Sequence, residues 1–253
     1  MKTKKSLGQN FFINKNLSKQ IVESALKEKP DIIVEIGPGT GSFTKEFYST
    51  GTKLILIEKD DELYKNLQIS FPSSQIENCD FLEWDLDFLK SYKEEKILFF
   101  GSLPYNVSKL IIRKIVESNY FLNPAYFIIQ KEVAEKYTSK EPNNNLLALK
   151  TQIYATPKKL FNISPDSFRP KPKVDSSFTV FTPKNKSIDV NIKDFKKFLQ
   201  ICFKQPRKTL RNNLKEIYPN ISKNDMEEIF KELLLKRPQH LSFEEFLFLY
   251  NNL

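Results

Sequence analysis

Between residues 31 and 130 the apolar positions come in short, near-continuous runs: DIIVEI (31–36), KLILIE (53–58), KILFFGS (96–102) and AYFIIQ (125–130), with a weaker QIENCD (75–80) among them. Runs that are apolar at consecutive positions, not alternate ones, predict strands buried on both faces. Helical stretches separate them, and that alternation predicts a parallel sheet covered by helices. Ahead of the first run, IVESALKEK reads as a helix from residue 21 that stops at Pro30. Behind the last, ATPKKLFNI (155–163) and SSFTVF (176–181) read as strands on either side of a Pro-rich loop. After Pro183 the pattern changes to helical periodicity, with Leu/Phe-rich pieces such as IFKELLLK and SFEEFLFLY. The expected fold class is α/β, with a sheet domain over 1–184 and a small all-helical domain over 185–253. The 253 residues are enough for both.

Composition narrows the function classes. No run approaches the eighteen or so apolar residues that cross a bilayer, and MKTKKSLGQN lacks a signal-peptide core, so a soluble, cytoplasmic protein is expected. The net charge is +9, from forty Lys+Arg against thirty-one Asp+Glu, which favours a polyanionic partner. Only five of those cations are Arg, and lysine suits phosphate attraction more than base reading. The only cysteines are Cys79 and Cys202, and the only histidine is His240. A zinc site needs about four such ligands, so no metal is expected, and a Ser-His-Asp triad is excluded as well.

The first motif with chemical content is VEIGPGTGSFT (34–44). Gly37, Gly39 and Gly41 follow a strand and open a helix, where a backbone can turn tightly and approach a ligand. The spacing is not that of the dinucleotide fingerprint. Glu58, ending the second strand twenty-one residues after Gly37, is placed to accept both hydroxyls of a ribose. Asp80 and Phe81 end the next strand; the carboxylate can accept from an exocyclic amine while the ring packs on a purine. With no Walker lysine and no pyrophosphate pattern, the implied cofactor is S-adenosylmethionine.

The sharpest signal is Gly101-Ser102-Leu103-Pro104-Tyr105-Asn106, closing the fourth strand. A polar side chain, a proline without N–H and an aromatic ring form an amine-binding device. A base amine donates to the Ser102 hydroxyl and to the carbonyl of Leu103 or Pro104, and Tyr105 stacks on the extruded base. An activated methyl donor needs positioning more than a strong base.

Taken with KSLGQNFFIN (5–14), IEKD (57–60), CDFLEWD (79–85), FIIQKEVAEK (127–136), SFRPKPKVDSSF (167–178) and PRKTLRNNL (206–214), these segments resemble, in order and along nearly the whole chain, the ribosomal RNA adenine N6-dimethyltransferases. The resemblance implies a Rossmann-like methyltransferase domain, followed by a helical RNA-binding domain. It implies dimethylation of two adjacent adenosines in the 3′-terminal hairpin loop of 16S ribosomal RNA, within a pre-30S particle, by a monomer. It places Asn10 and Phe12 at the methionine end of the cofactor, Gly37 and Gly39 beneath it, Glu58 on the ribose and Asp80 on the adenine amine. Ser102, Leu103, Pro104, Tyr105 and Phe168 then hold the target adenine. Ser102 stands where the family usually has the longer Asn and keeps an acceptor on a shorter arm, and Phe12 stands where it usually has Leu.

A basic segment adds an RNA contact. Lys204, Arg207, Lys208, Arg211 and Lys215 lie within twelve residues, and a helix starting near Pro206 would align 207, 211 and 215 in one stripe. Lys150, Lys158, Lys159, Arg169, Lys171 and Lys173 form a second basic region. Three rival readings stand beside this one: a 23S ribosomal RNA methyltransferase, a DNA adenine methyltransferase, and a non-catalytic assembly factor that keeps the pocket.

Overall fold

The computed structural model describes residues 9–184, 188–219 and 228–253; the basic stretch ahead of residue 9 lies outside them. A seven-stranded sheet has the order β4-β3-β2-β5-β6-β9-β7. Its parallel strands are β2 (Ile32–Ile36), β3 (Lys53–Ile57), β4 (Gln75–Glu77), β5 (Ile97–Ser102) and β6 (Ala125–Gln130). β9 (Ser176–Pro183) runs antiparallel to β6, with Tyr126 opposite Val180, and β7 (Ala155–Ile163) lies outside it. A separate ribbon pairs β1 (Phe11–Phe12) with β8 (Phe168–Arg169), antiparallel.

All five residues of β2 are buried, as are the first five of β5 and of β6. That is why these strands read as near-continuous apolar runs, with Glu35 interrupting β2, each buried aliphatic side chain contributing about 1.5–3 kcal/mol. The chain steps outward from β2 to β3 and β4, then returns to β5 on the other side of β2. The strand order therefore reverses between β2 and β5, and a crevice at such a point lies beyond the carboxyl ends of the strands.

Helices α1 (Lys15–Leu26), α2 (Thr44–Tyr48), α3 (Asp61–Ser70) and α4 (Ser108–Val116) accompany this sheet. The first begins at residue 15, six residues earlier than the sequence pattern suggests. The Asn14 side chain accepts from the Leu17 N–H and caps it there.

The chain divides into two compact units, and the helical one is assembled from two stretches: Glu135–Thr156 and Lys184 onward. Sequence reading put 135–156 in the first domain. The structure clusters them with the second, because α6 (Leu146–Gln152) and the residue after it bring Leu149 and Ile153 into one core with Phe195, Phe198, Phe243 and Phe246. Asn144 reinforces this, donating its backbone N–H to Gln239 O at 2.9 Å and its amide to Leu241 O at 3.0 Å. The unit's other helices are α7 (Ile192–Cys202), α8 (Leu210–Leu214), α9 (Glu228–Leu235) and α10 (Phe243–Asn251), with α5 (Lys131–Tyr137) leading into it. Among the described residues no helix is long and apolar enough to cross a membrane.

Candidate active site

The cleft at the strand ends is lined by the glycine turn after β2, the ends of β3 and β5 and the loop after β4, with Phe11 and Phe168 from the ribbon. Gly37, Gly39 and Gly41 all have positive φ (64°, 60° and 79°), a conformation that glycine adopts without a Cβ penalty. A Cβ on Gly37 would meet nothing within 4 Å, so the turn leaves open space for a ligand. A Cβ on Gly39 would sit 3.2 Å from Phe11 Cδ1, so bare backbone lets that ring close over the turn.

Glu58 is buried, and both its oxygens are held by backbone N–H groups. Oε2 accepts from Gly39 at 3.0 Å and Oε1 from Asp60 at 2.9 Å. An ionised carboxylate has about four lone-pair sites, more than these backbone donors fill, so it can still accept from a sugar hydroxyl. Burial pushes its pKa up, against the pull of the backbone N–H groups of Asp60, Gly39 and Lys59 and with a further push from the Asp60 charge.

Behind it lies Glu35, fully buried on β2, with Oε2 accepting from the Thr44 hydroxyl at 2.7 Å. Burial and the nearby Glu58 charge raise its pKa to about 8, although the Thr44 hydrogen bond opposes them. At neutral pH it is mostly protonated, which spares the turn a second buried charge beside Glu58.

Asp80 follows β4. Its Oδ1 accepts from the Leu82 N–H at 2.9 Å, and its Oδ2 pairs with the Lys59 ammonium at 2.8 Å. Partial burial pushes the carboxyl up, but Lys59, the Leu82 N–H and Lys114 outweigh it, and the net shift is down. Asp80 is therefore an ionised acceptor, with Phe81 buried beside it on the cleft wall.

The β5 end supplies the second half of the cleft. Gly101 is required by close packing: a Cβ there would lie 2.8 Å from Ile36 O. Leu103 donates its N–H to Ile128 O at 3.0 Å, which extends the sheet contact past the strand end. The Pro104 carbonyl already accepts from Val107 and Ser108 at 3.2 and 3.0 Å, because it starts helix α4. Of the two carbonyls the sequence leaves open for an amine, Leu103 O is thus the one not engaged in closing α4. The Tyr105 hydroxyl is 2.8 Å from Ser176 Oγ on β9, which fixes the ring's orientation, and burial raises the phenol pKa.

The cleft brings together Asn10, Gly37, Gly39, Glu58, Asp80, Phe81, Ser102, Leu103, Pro104, Tyr105 and Phe168. Phe12 is the exception. It is 4% exposed and packs in the core, with its ring 4.7 Å from Phe43 and 5.2 Å from Phe168. Successive residues of a strand face opposite ways, and it is Phe11 that faces the cleft. Phe11 and Lys59, which also line the cleft, carry no motif in the sequence that singles them out as site residues.

The basic segment differs from its expected form. Helix α8 starts at Leu210, not near Pro206, so Arg207 and Lys208 lie in the preceding turn and 207, 211 and 215 do not share a helical stripe. The buried Asn213 side chain accepts from Gln205 N and donates to Gln205 O and Thr209 O, which holds that turn folded back on the helix. Lys204, Arg207, Lys208, Arg211 and Lys215 are all exposed, and Lys204 pairs with Glu216 at 3.2 Å.

A family model described as ribosomal RNA adenine dimethylase matches residues 1–251. Two relatives named ribosomal RNA small subunit methyltransferase A, from Francisella tularensis subsp. tularensis (strain FSC 198) and subsp. novicida (strain U112), are each 38% identical, over 223 and 224 residues, covering 85% of this chain and 85% of their own. A dimethyladenosine transferase from Plasmodium falciparum superposes with a TM-score of 0.80 at 22% identity, covering 96% of both chains. The 23S rRNA methyltransferase ErmE superposes with a TM-score of 0.75 at 20% identity, covering 96% of this chain and 100% of that one. The last two likenesses show the shared Rossmann-like methyltransferase fold.

Proposed function

We propose, because the chain belongs to the ribosomal RNA adenine dimethylase family, that it transfers methyl groups from S-adenosylmethionine to N6 of adenosines in small-subunit ribosomal RNA. The finer reading is two methyls on each of two neighbouring adenosines in the 3′-terminal hairpin loop of 16S ribosomal RNA, within a pre-30S particle, by a cytoplasmic monomer. The observation that carries it is the facing of two acceptor sets across one cleft: Glu58 and Asp80 on one side, Ser102 and Leu103 on the other.

The donor set fits S-adenosylmethionine. Glu58 is a backbone-anchored carboxylate acceptor for a ribose diol, Asp80 stays ionised for the adenine amine, and Gly37 faces open space. That cofactor supplies a methyl group on a sulfonium, which needs no further activation. The chain's own residues prepare the acceptor. Leu103 O and Ser102 Oγ take hydrogen bonds from the target amine, so the nitrogen lone pair turns out of conjugation with the ring. Tyr105 and Phe168 hold the base flat, and Ser176 keeps the Tyr105 ring from rotating away. Once the methylated nitrogen has released a proton to solvent, one N–H remains, and one acceptor suffices. The shorter Ser102 arm leaves room for the methyl already present.

The exposed cations at 204–215 supply an RNA-backbone contact in this reading. The test offers labelled cofactor to isolated small and large ribosomal subunits from cells lacking the modification. Label in the small subunit alone supports the proposal. Label in the large subunit favours the 23S alternative, and cofactor binding without any transfer favours a non-catalytic assembly factor.

A further inference from the structure

Lys114 sits two turns into α4. Its ammonium donates to three backbone carbonyls of one loop: Phe81 O at 2.9 Å, Leu82 O at 2.8 Å and Trp84 O at 2.5 Å. An ammonium has three donors, so all are spent on this loop. The loop is a single tight turn. Glu83 and Trp84 both donate to Asp80 O, and Leu82 donates to Asp80 Oδ1. Such a turn gathers carbonyls at one end, as the last turn of a helix does, and a cation there is favourable. Lys114 also lies 5.4 Å from the centre of the Phe81 ring.

The same helix begins at the target loop, where Val107 and Ser108 donate to Pro104 O. A single rigid element therefore carries the Ser102–Tyr105 loop at its start and clamps the Asp80–Trp84 turn farther along. We propose that Lys114 is a positioning residue for cofactor recognition: by holding the 81–84 carbonyls it aims Asp80 at the adenine amine and fixes that subsite relative to the methyl acceptor. This rests on the reading of Asp80 given above. Partial burial lowers the lysine's pKa, opposed by Asp85 and Asp80, in keeping with a cation whose hydration has been replaced by carbonyls.

The experiment measures binding of S-adenosylhomocysteine and of its deaminated counterpart, in which hypoxanthine replaces adenine, to the parent chain, to Lys114→Met and to Lys114→Arg. The parent is expected to prefer the adenine form at least ~10-fold, since hypoxanthine turns a carbonyl oxygen instead of an amine donor toward the Asp80 carboxylate. Lys114→Met should shrink that preference to within ~3-fold, and Lys114→Arg, which keeps charge and donors, should retain most of it. Loss of affinity for both ligands alike, with the preference intact in Lys114→Met, overturns the proposal and leaves only a structural role. No preference in the parent chain overturns the Asp80 reading and this proposal with it. Should Lys114→Met lack a cooperative thermal transition, Lys114→Gln is judged by the same criterion.

Discussion

Gly39 donates its backbone N–H to Glu58 Oε2 at 3.0 Å, which ties the glycine turn after β2 to the end of β3. The bond leaves the carboxylate no freedom to swing into solvent. The glycines thus bring a backbone donor to an acid in the cleft, where the proposed reading sets the ribose.

Replacing Glu58 by Gln keeps the shape but substitutes an NH2 for an oxygen that now accepts from a backbone N–H. Hydrogen bonds to a charged group contribute about 1.5–3 kcal/mol, so cofactor affinity should fall roughly 10- to 100-fold. Calorimetric titration with S-adenosylhomocysteine measures this. An affinity within about twofold of the parent would remove Glu58 from the ribose.

Glu35 makes folding stability pH-dependent. Its folded pKa of about 8 lies above the ordinary 4.5, so the folded state holds a proton that the unfolded chain releases. The stability linked to that proton is fully present below about pH 4.5 and is lost as pH rises to about 8, by at most roughly 1.4 kcal/mol per unit. Urea unfolding at several pH values in that window should show a steeper decline for the parent than for Glu35→Gln. Parallel curves would mean that Glu35 is ionised in the folded protein.

Tyr105 separates ring from hydroxyl. Tyr105→Phe removes only the bond to Ser176, worth about 1 kcal/mol, and should leave transfer within several-fold of the parent. Tyr105→Ala removes the stacking face, worth about 1–3 kcal/mol per base, and should slow transfer about 10- to 100-fold while S-adenosylhomocysteine binding is unchanged. Single-turnover rates decide, and equal rates for the Ala variant and the parent would exclude stacking.

Much of this was legible in the sequence because burial on both faces leaves an unmistakable mark. β3, β5 and β6 carry continuous apolar runs and β2 one interrupted by Glu35, and Glu58 and the 101–106 loop sit where such runs stop. What was not legible depends on partners distant in the chain. Phe11 and Phe12 are chemically identical neighbours, and only the pairing with Arg169 and Phe168 decides which one faces the cleft. The basic segment carries helical spacing from Pro206 onward, yet the Asn213 side chain bonds Gln205 and Thr209 and holds the stretch before Leu210 as a turn. Lys114 has no local signal at all, since its acceptors are carbonyls some thirty residues earlier. Residues 135–156 join the helical unit through the placement of Leu149 and Ile153, which no composition shift announces.

Arg207 and Lys208 are exposed in the turn ahead of α8. If they meet RNA phosphates, replacing both by Ala should lower the slope of log affinity against log salt by about 1.5, with cofactor affinity unchanged. Filter binding to a 16S ribosomal RNA fragment across salt concentrations reads this directly, and an unaltered slope would move the RNA contact elsewhere.

Mass mapping of modified nucleotides in 16S ribosomal RNA, from cells with and without the gene, bears on methyl transfer itself. Two neighbouring N6,N6-dimethyladenosines in the 3′-terminal hairpin are expected with the gene, and unmodified adenosines in its absence. The same dimethylated pair in both RNAs would contradict the assignment.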